Sequence, residues 1–164
     1  MGDMPGDQQQ TESVIAAGEL VLRPVSAAAA AALMAGDFSG VRRGEGWPHE
    51  DTMDGLAMVA EGRSLSWLTT LNGLVVGECG THAPADASGW VEIGYGLAAP
   101  YRGQGYGRQM VGALAQWLLR QPDVTGLIAH TDPENTPSRK SLERAGFRLA
   151  GQAGGECRYI LDPA

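Results

Sequence analysis

Three glycines at alternate positions, Gly103, Gly105 and Gly107, stand between a strand-like run and a long amphipathic segment. Glycine reaches left-handed backbone conformations without steric cost, so Arg102-Gly103-Gln104-Gly105-Tyr106-Gly107-Arg108 can turn tightly and expose successive N–H groups. Beyond the turn, Met110, Val111, Leu114, Trp117 and Leu118 recur at helical spacing, and Pro122 follows the last of them. A helix that starts inside such a turn points its positive end and its unpaired N–H groups at the same spot, which makes a seat for a pyrophosphate. The third glycine comes one residue early for the GxGxxG dinucleotide fingerprint, and no Gly-Lys-Ser/Thr follows, so neither that loop nor a Walker loop is expected. A bare structural turn is the alternative reading.

The flanking sequence alternates between strand and helix. In Trp90 to Leu97, Val91, Ile93, Tyr95 and Leu97 share one face of a strand; Trp90, Glu92, Gly94 and Gly96 share the other. Further strands are expected over 19–23, 64–71, 74–82, 124–129, 147–150 and 158–161. Asn72-Gly73 marks a type I′ hairpin between two of them. Helices are expected from Ser26 through the alanine run to Ala35, over 50–60, over 105–120, and from Asn135 or Thr136 to Gly146. Residues 36–50 hold Gly36, Gly40, Gly44, Gly46 and Pro48 and read as a long irregular loop, a kind that often carries function. The predicted order is β-α-α-β-β-β-α-β-α-β-β, an α/β (α+β) plan. Residues 1–13 are polar and rich in Gly, Asp and Gln, and read as a disordered tail; 14–164 then form a single domain.

Composition narrows the function. At 164 residues the chain suits one domain with its own core. Its longest apolar run, residues 27–35, falls well short of the ~20 residues that span a bilayer, so no membrane role is expected. A net charge of −7 argues against general nucleic-acid binding. Residues 1–60 hold nine acids against three arginines, and residues 99–148 seven bases against four acids. That asymmetry suits two ligands of opposite sign, or it is chance clustering on a solvated surface. The two cysteines, Cys79 and Cys157, form no CxxC pair, and His49 and His82 lack spaced partners, so no metal site is assigned. A cytoplasmic location is expected.

Two motifs together carry a resemblance. Arg102-x-x-Gly105-x-Gly107, placed after Val91-Glu92-Ile93-Gly94-Tyr95-Gly96-Leu97, resembles the acetyl-CoA motif of the GNAT acetyltransferases. Asn135-x-x-Ser138, followed by Leu142 and Gly146-Phe147, is similar to the pattern of the branch typified by the ribosomal-protein N-acetyltransferases. The strand Leu74-Val75-Val76-Gly77-Glu78 fits as well, and the likeness covers about 19–161. It implies a mixed, mostly antiparallel central sheet flanked by helices, with two splayed parallel strands holding acyl-CoA. It also implies acetyl transfer from acetyl-CoA, as co-substrate, to a primary amine on a small molecule or a peptide N-terminus. The rival is a non-catalytic acyl-CoA-binding regulatory module. A homodimer is compatible with either.

The resemblance further implies site residues. Backbone groups of Tyr95, Gly96 and Leu97 would pair with pantetheine, and those of Arg102, Gly103, Gln104, Gly105, Tyr106, Gly107 and Arg108 would hold the pyrophosphate. Asn135 would contact pantetheine or simply cap its helix. Arg139, Lys140 and Arg144 would reach the adenosine phosphates or only line a solvated helix face.

Acetyl transfer to an amine needs a proton acceptor, because amines are mostly cationic near neutral pH. Glu92 is the leading candidate: it lies beside Gly94 and Gly96, whose missing side chains would leave room for a ligand. His130 is the second candidate, near the end of the neighbouring strand. Relatives often carry an acid tyrosine where this chain has Leu142; Ser138, one turn earlier, is the remaining donor or a cofactor contact. The acceptor is expected to be cationic. Asp37, Glu45, Glu50, Asp51, Asp54 and Glu61 outnumber Arg42 and Arg43 over 36–61. There Trp47 would offer an aromatic face and Glu50 a carboxylate to the ammonium. The plain alternative is an acidic surface with Trp47 in the core.

Overall fold

A computed structural model describes residues 13–162. Of the tail expected over 1–13, residues 1–12 lie outside them, but Ser13 belongs to the fold: its carbonyl accepts the Trp67 indole N–H at 2.8 Å. Thirteen elements follow. They are β1 (Ile15–Ala17), β2 (Leu20–Pro24), α1 (Ala27–Met34), α2 (Thr52–Ala60), β3 (Ser66–Leu71), β4 (Leu74–Thr81), β5 (Trp90–Leu97), a 3₁₀ turn (Ala99–Tyr101), α3 (Tyr106–Leu119), β6 (Gly126–Thr131), α4 (Thr136–Arg144), β7 (Arg148–Ala153) and β8 (Glu156–Leu161).

The strands form one sheet in the order β1-β2-β3-β4-β5-β6-β8-β7. Every neighbouring pair is antiparallel except β5 and β6. A parallel pair needs a crossover, and α3 supplies it. The parallel register runs from Trp90↔Gly126 to Ile93↔Ala129 and stops there. Both strands continue, β5 to Leu97 and β6 to Thr131, so they part into an open wedge. This is the expected splay, in the expected mixed sheet.

Each face has its own core. On one, α3 buries Met110, Val111, Leu114, Ala115 and Leu118 against Val91, Ile93 and Leu97 of β5, with Leu142 of α4 fully enclosed. Trp67 and Trp117 meet edge to face at 5.1 Å in the same layer. On the other face, α1, α2 and the glycine-broken loop bring Val25, Leu33, Trp47, Leu56 and Val59 over Leu68 and Val75.

The sequence reading missed β1 and shortened the last hairpin. β1 is three residues long and turns into β2 at Gly18, whose φ of +65° only glycine accepts readily. The β7–β8 turn is Gly154-Gly155, with φ of +62° and +80°, a paired-glycine hairpin signal that extends both strands beyond the expected 147–150 and 158–161. Asn72-Gly73 forms the predicted turn, with φ of +52° and +84°.

Candidate active site

The glycine turn divides in two. Gly105 caps α3 at φ +87°, and no side chain caps the helix's first N–H groups. A side chain at Gly103 or Gly105 would meet nothing within 4 Å. Free donors at a positive helix end facing open space fit a pyrophosphate. Gly107 has a different reason to be glycine: a Cβ there would lie 2.6 Å from Ser141 Oγ on α4. Its small size lets α3 pack close against α4. Arg102 donates through Nε to the Leu97 carbonyl at 2.8 Å and so pins the turn to the end of β5. The Gln104 side-chain amide donates to the Pro100 carbonyl at 2.8 Å. Tyr106 is half-buried against the core, and Arg108 is exposed.

Past Ile93, Gly94, Tyr95, Gly96 and Leu97 have no β6 partner, so this edge of β5 is the one where an inserted chain would find backbone groups. The Tyr95 side chain crosses to α4, where its hydroxyl lies 2.6 Å from Ser138 Oγ. Burial pushes the Tyr95 phenol up to about 12, so it stays protonated at neutral pH. Asn135 acts as the N-cap of α4: its side chain accepts the Ser138 N–H at 3.2 Å. Arg139 is occupied by the Tyr159 hydroxyl at 3.0 Å and the Pro133 carbonyl at 3.1 Å, while Lys140 and Arg144 are exposed.

On the opposite face of β5 the structure joins the two proposed bases. Glu92 Oε2 lies 3.0 Å from His130 Nδ1 and 3.1 Å from His82 Nδ1. The three residues come from β6, β5 and the residue just after β4, and share one face of the sheet. His82 was overlooked. Its N–H donates to the Glu92 carbonyl at 2.9 Å, so the two residues face each other across the strands. The space over Gly94 and Gly96 is not left for ligand, as expected, because histidine rings fill it. The His82 ring occupies the Cβ position of Gly94, and a Cβ at Gly96 would lie 2.7 Å from His49 Cε1.

A second carboxylate is buried one strand away. Glu78, 8% exposed, sits across from Gly96 on β4. Its Oε1 accepts the Trp47 indole N–H at 2.9 Å and the Thr52 hydroxyl at 2.8 Å, and its Oε2 meets His49 Nε2 at 2.5 Å. The His49 ring donates to the Glu78 carboxylate, and that hydrogen bond holds the His49 pKa above its ordinary value. Trp47 is therefore a core residue, 4% exposed and edge-on to Phe38, and offers no open aromatic face. The sequence reading had set it to contact substrate; its indole N–H instead satisfies Glu78.

Between these clusters lies a cleft of about 450 Å³. Its wall includes Glu92, His82, His130, Tyr95, Ser138 and Asn135. Asp51 and Asp54 from the α2 end, Glu78 and Glu156 add further carboxylates, and no lysine or arginine lines it. Glu50 is exposed and outside this lining, so its neighbours Asp51 and Asp54 take the place expected for it. Cys79 is buried on this wall, which pushes its thiol up to about 12 and makes it a poor nucleophile. Among the described residues no group of three or more His, Cys, Asp or Glu could hold a metal ion, and no helix is long and apolar enough to cross a membrane.

Fold and wedge together define an acyl-CoA-type transferase scaffold, and comparison with known proteins places it. The acetyltransferase (GNAT) domain model matches residues 19–148, and the chain belongs to that family. The N-acetyltransferase YjdG of Bacillus subtilis is 32% identical over 75 residues, 46% of this chain and 45% of its own. The chain thus spans about half the length of the curated relatives it matches. Among solved structures, Mycobacterium smegmatis RimJ in complex with CoA-disulfide has a TM-score of 0.67 at 22% identity, covering 94% of this chain and 89% of that one. AAC(6′)-Ib in complex with ribostamycin and coenzyme A has a TM-score of 0.63 at 22% identity, covering 88% and 94%. At such identities the likeness is one of fold.

Proposed function

We propose that the chain transfers the acetyl group of acetyl-CoA to a primary amine by direct attack of the amine nitrogen on the thioester carbon. One observation carries this reading. An uncapped glycine turn and a carboxylate–imidazole cluster flank the same wedge between β5 and β6. The turn from Gly103 to Arg108 would hold the pyrophosphate, and the free edge of Tyr95, Gly96 and Leu97 would pair with pantetheine. Asn135 and Ser138 would line the path of that arm. Bound there, acetyl-CoA supplies an activated acyl carbon and a thiolate leaving group. The Glu92–His130 pair takes the proton that the attacking nitrogen must lose. Backbone N–H groups near Leu97 would steady the developing oxyanion.

The acceptor is read as cationic. The cleft wall carries Asp51, Asp54, Glu78, Glu92 and Glu156 and no lysine or arginine, which draws ammonium groups and raises their local concentration. That AAC(6′)-Ib was solved with ribostamycin supports an amine in this position. A cytoplasmic location suits the two free, buried cysteines.

The test is a thiol-release screen with acetyl-CoA against peptides with free α-amines, aminoglycosides, polyamines and small amine metabolites. Release driven by one of these classes is expected. Tight acetyl-CoA binding with no amine consumed would instead make the chain a non-catalytic acyl-CoA-binding module.

A further inference from the structure

The face of the sheet opposite α3 carries its ionisable groups in one row. Glu92 sits in the middle strand, His82 follows β4 on one side, and His130 lies in β6 on the other. Both imidazoles point Nδ1 at a single oxygen, Oε2, at 3.1 and 3.0 Å. A carboxylate accepts hydrogen bonds only, so the His130–Glu92 hydrogen bond places the proton of the neutral His130 ring on Nδ1 and leaves a lone pair on its Nε2, while His82 makes a close ionic contact with the same oxygen. The two rings then differ. His82 Nε2 is turned onto the β5 backbone at Gly94. His130 follows Ala129, the last β6 residue paired with β5, and so stands at the mouth of the wedge.

We propose that these three residues act as one unit, in which His130 Nε2, and not the Glu92 carboxylate, receives the amine proton. Glu92 and His82 are positioning residues. Glu92 orients the His130 ring and fixes its tautomer, and His82 steadies Glu92 through its close contact with Oε2. This rests on the acetyltransferase reading above and names the proton acceptor within it. In the reaction the amine lone pair forms the N–C bond while the carbonyl π pair moves to oxygen. The proton leaves nitrogen for His130 Nε2. The oxyanion pair then returns to re-form the carbonyl as the C–S bond breaks, the C–S electron pair goes to sulfur, and the His130 proton follows it as CoA leaves as the thiol. A substrate that arrives as an ammonium first sheds one proton to solvent. Asp51, Asp54, Glu78 and Glu156 on the cleft wall stabilise the imidazolium formed in between, while Arg158, across from His130 on β8, opposes it.

Two readouts test the unit. The chain has three histidines, so ring nitrogens in a ¹⁵N-labelled sample can be assigned by substituting each in turn. His130 should show the Nδ1–H tautomer. Glu92→Gln should shift both rings, and His82→Ala should shift His130. With an acceptor from the screen, His130→Ala should lower kcat on the order of 10²-fold with acetyl-CoA KM little changed, and added imidazole should restore part of the loss. His82→Ala should cost roughly tenfold alone but less than twofold in the Glu92→Gln background, because the two act through the same ring. Active enzyme whose His130 ring ignores Glu92→Gln, or whose His130→Ala variant keeps its rate, overturns this assignment and leaves the transferase reading standing. A wild-type chain that binds acetyl-CoA, shows the coupled rings and releases no thiol with any amine overturns both.

Discussion

Trp47 gives its indole proton to Glu78 across 31 residues of sequence, in a 2.9 Å hydrogen bond between two side chains that are each less than 10% exposed. The same carboxylate holds Thr52 and His49, so one acidic group fastens the loop and α2 to the sheet. Glu78→Ala would strand the indole, the hydroxyl and the imidazolium at once. A loss of about 3–5 kcal/mol is expected, the range for breaking a buried ion pair from one side. Trp47→Ala should cost a similar ~3–5 kcal/mol by emptying the core. Urea denaturation of both variants measures this, and losses under about 1 kcal/mol would contradict the described network.

The Glu78–His49 pair also sets the pH response. The pKa of His49 is raised in the folded chain, chiefly by the hydrogen bond to Glu78. A raised folded pKa gives stability that is fully present below the unfolded value, near 6.5, and fades as pH climbs through the folded one. Thermal midpoints of the wild type should fall as pH rises above that unfolded value. His49→Asn should flatten the dependence. A midpoint that rises over the same interval would show the sign to be wrong.

Gly105 and Gly107 should separate cleanly. Gly105→Val forces a branched side chain into a left-handed conformation, at a cost of about 1–3 kcal/mol. Its informative effect is on the cofactor increment. Wild type at 100 times its dissociation constant should gain about 2.7 kcal/mol from acetyl-CoA, and Gly105→Val should gain almost none. Gly107→Ala should lower stability equally with and without acetyl-CoA, and Ser141→Gly should restore it. Calorimetry of the four samples decides. A full increment in Gly105→Val would remove the pyrophosphate from this turn.

Acceptor affinity should depend on salt and on Asp54. Between 10 and 150 mM salt the screening length falls from ~30 Å to ~8 Å, so the KM of a cationic acceptor should rise over that range. Asp54→Asn, in the cleft wall, should raise acceptor KM several-fold and leave acetyl-CoA KM unchanged. Glu50→Gln, outside it, should do little. Steady-state kinetics would refute a cationic acceptor if KM ignored both salt and Asp54.

The glycine turn, α3 and the β3–β4 hairpin were legible because their signals are local: periodicity, a cap and a two-residue turn. So was the alternation that set Glu92 on a separate face from Val91 and Ile93. The cluster around Glu92 was half legible. His130 lay on a strand already singled out, but His82 was read as a strand end without partners, because its partner is ten residues away on another strand. Extending the alternation Glu78, Gly80, His82 sets it on the face of Glu92, but the β4–β5 register that brings the two together is set by the connection over 82–89, which carries no two-residue hairpin signal. The bonds from Trp47 and His49 to Glu78 were not legible at all. They depend on where a glycine-broken loop folds back, and no spacing in residues 36–50 encodes that. The packing of Gly107 against Ser141 was not legible, because Ser141 lies on a different helix.

The short parallel register has a mechanical consequence. Four residue pairs, Trp90↔Gly126 to Ile93↔Ala129, are all that stitch the five-strand plate β1–β5 to the three-strand plate β6, β8 and β7 within the sheet. The sheet is therefore two stiff boards on a short hinge line, with α3 as the strap between them. An extended molecule lodged in the gap adds rungs where the protein has none. Amides bordering the gap should then exchange with solvent more slowly in proportion to occupancy, so that the co-substrate splints the structure it reacts in.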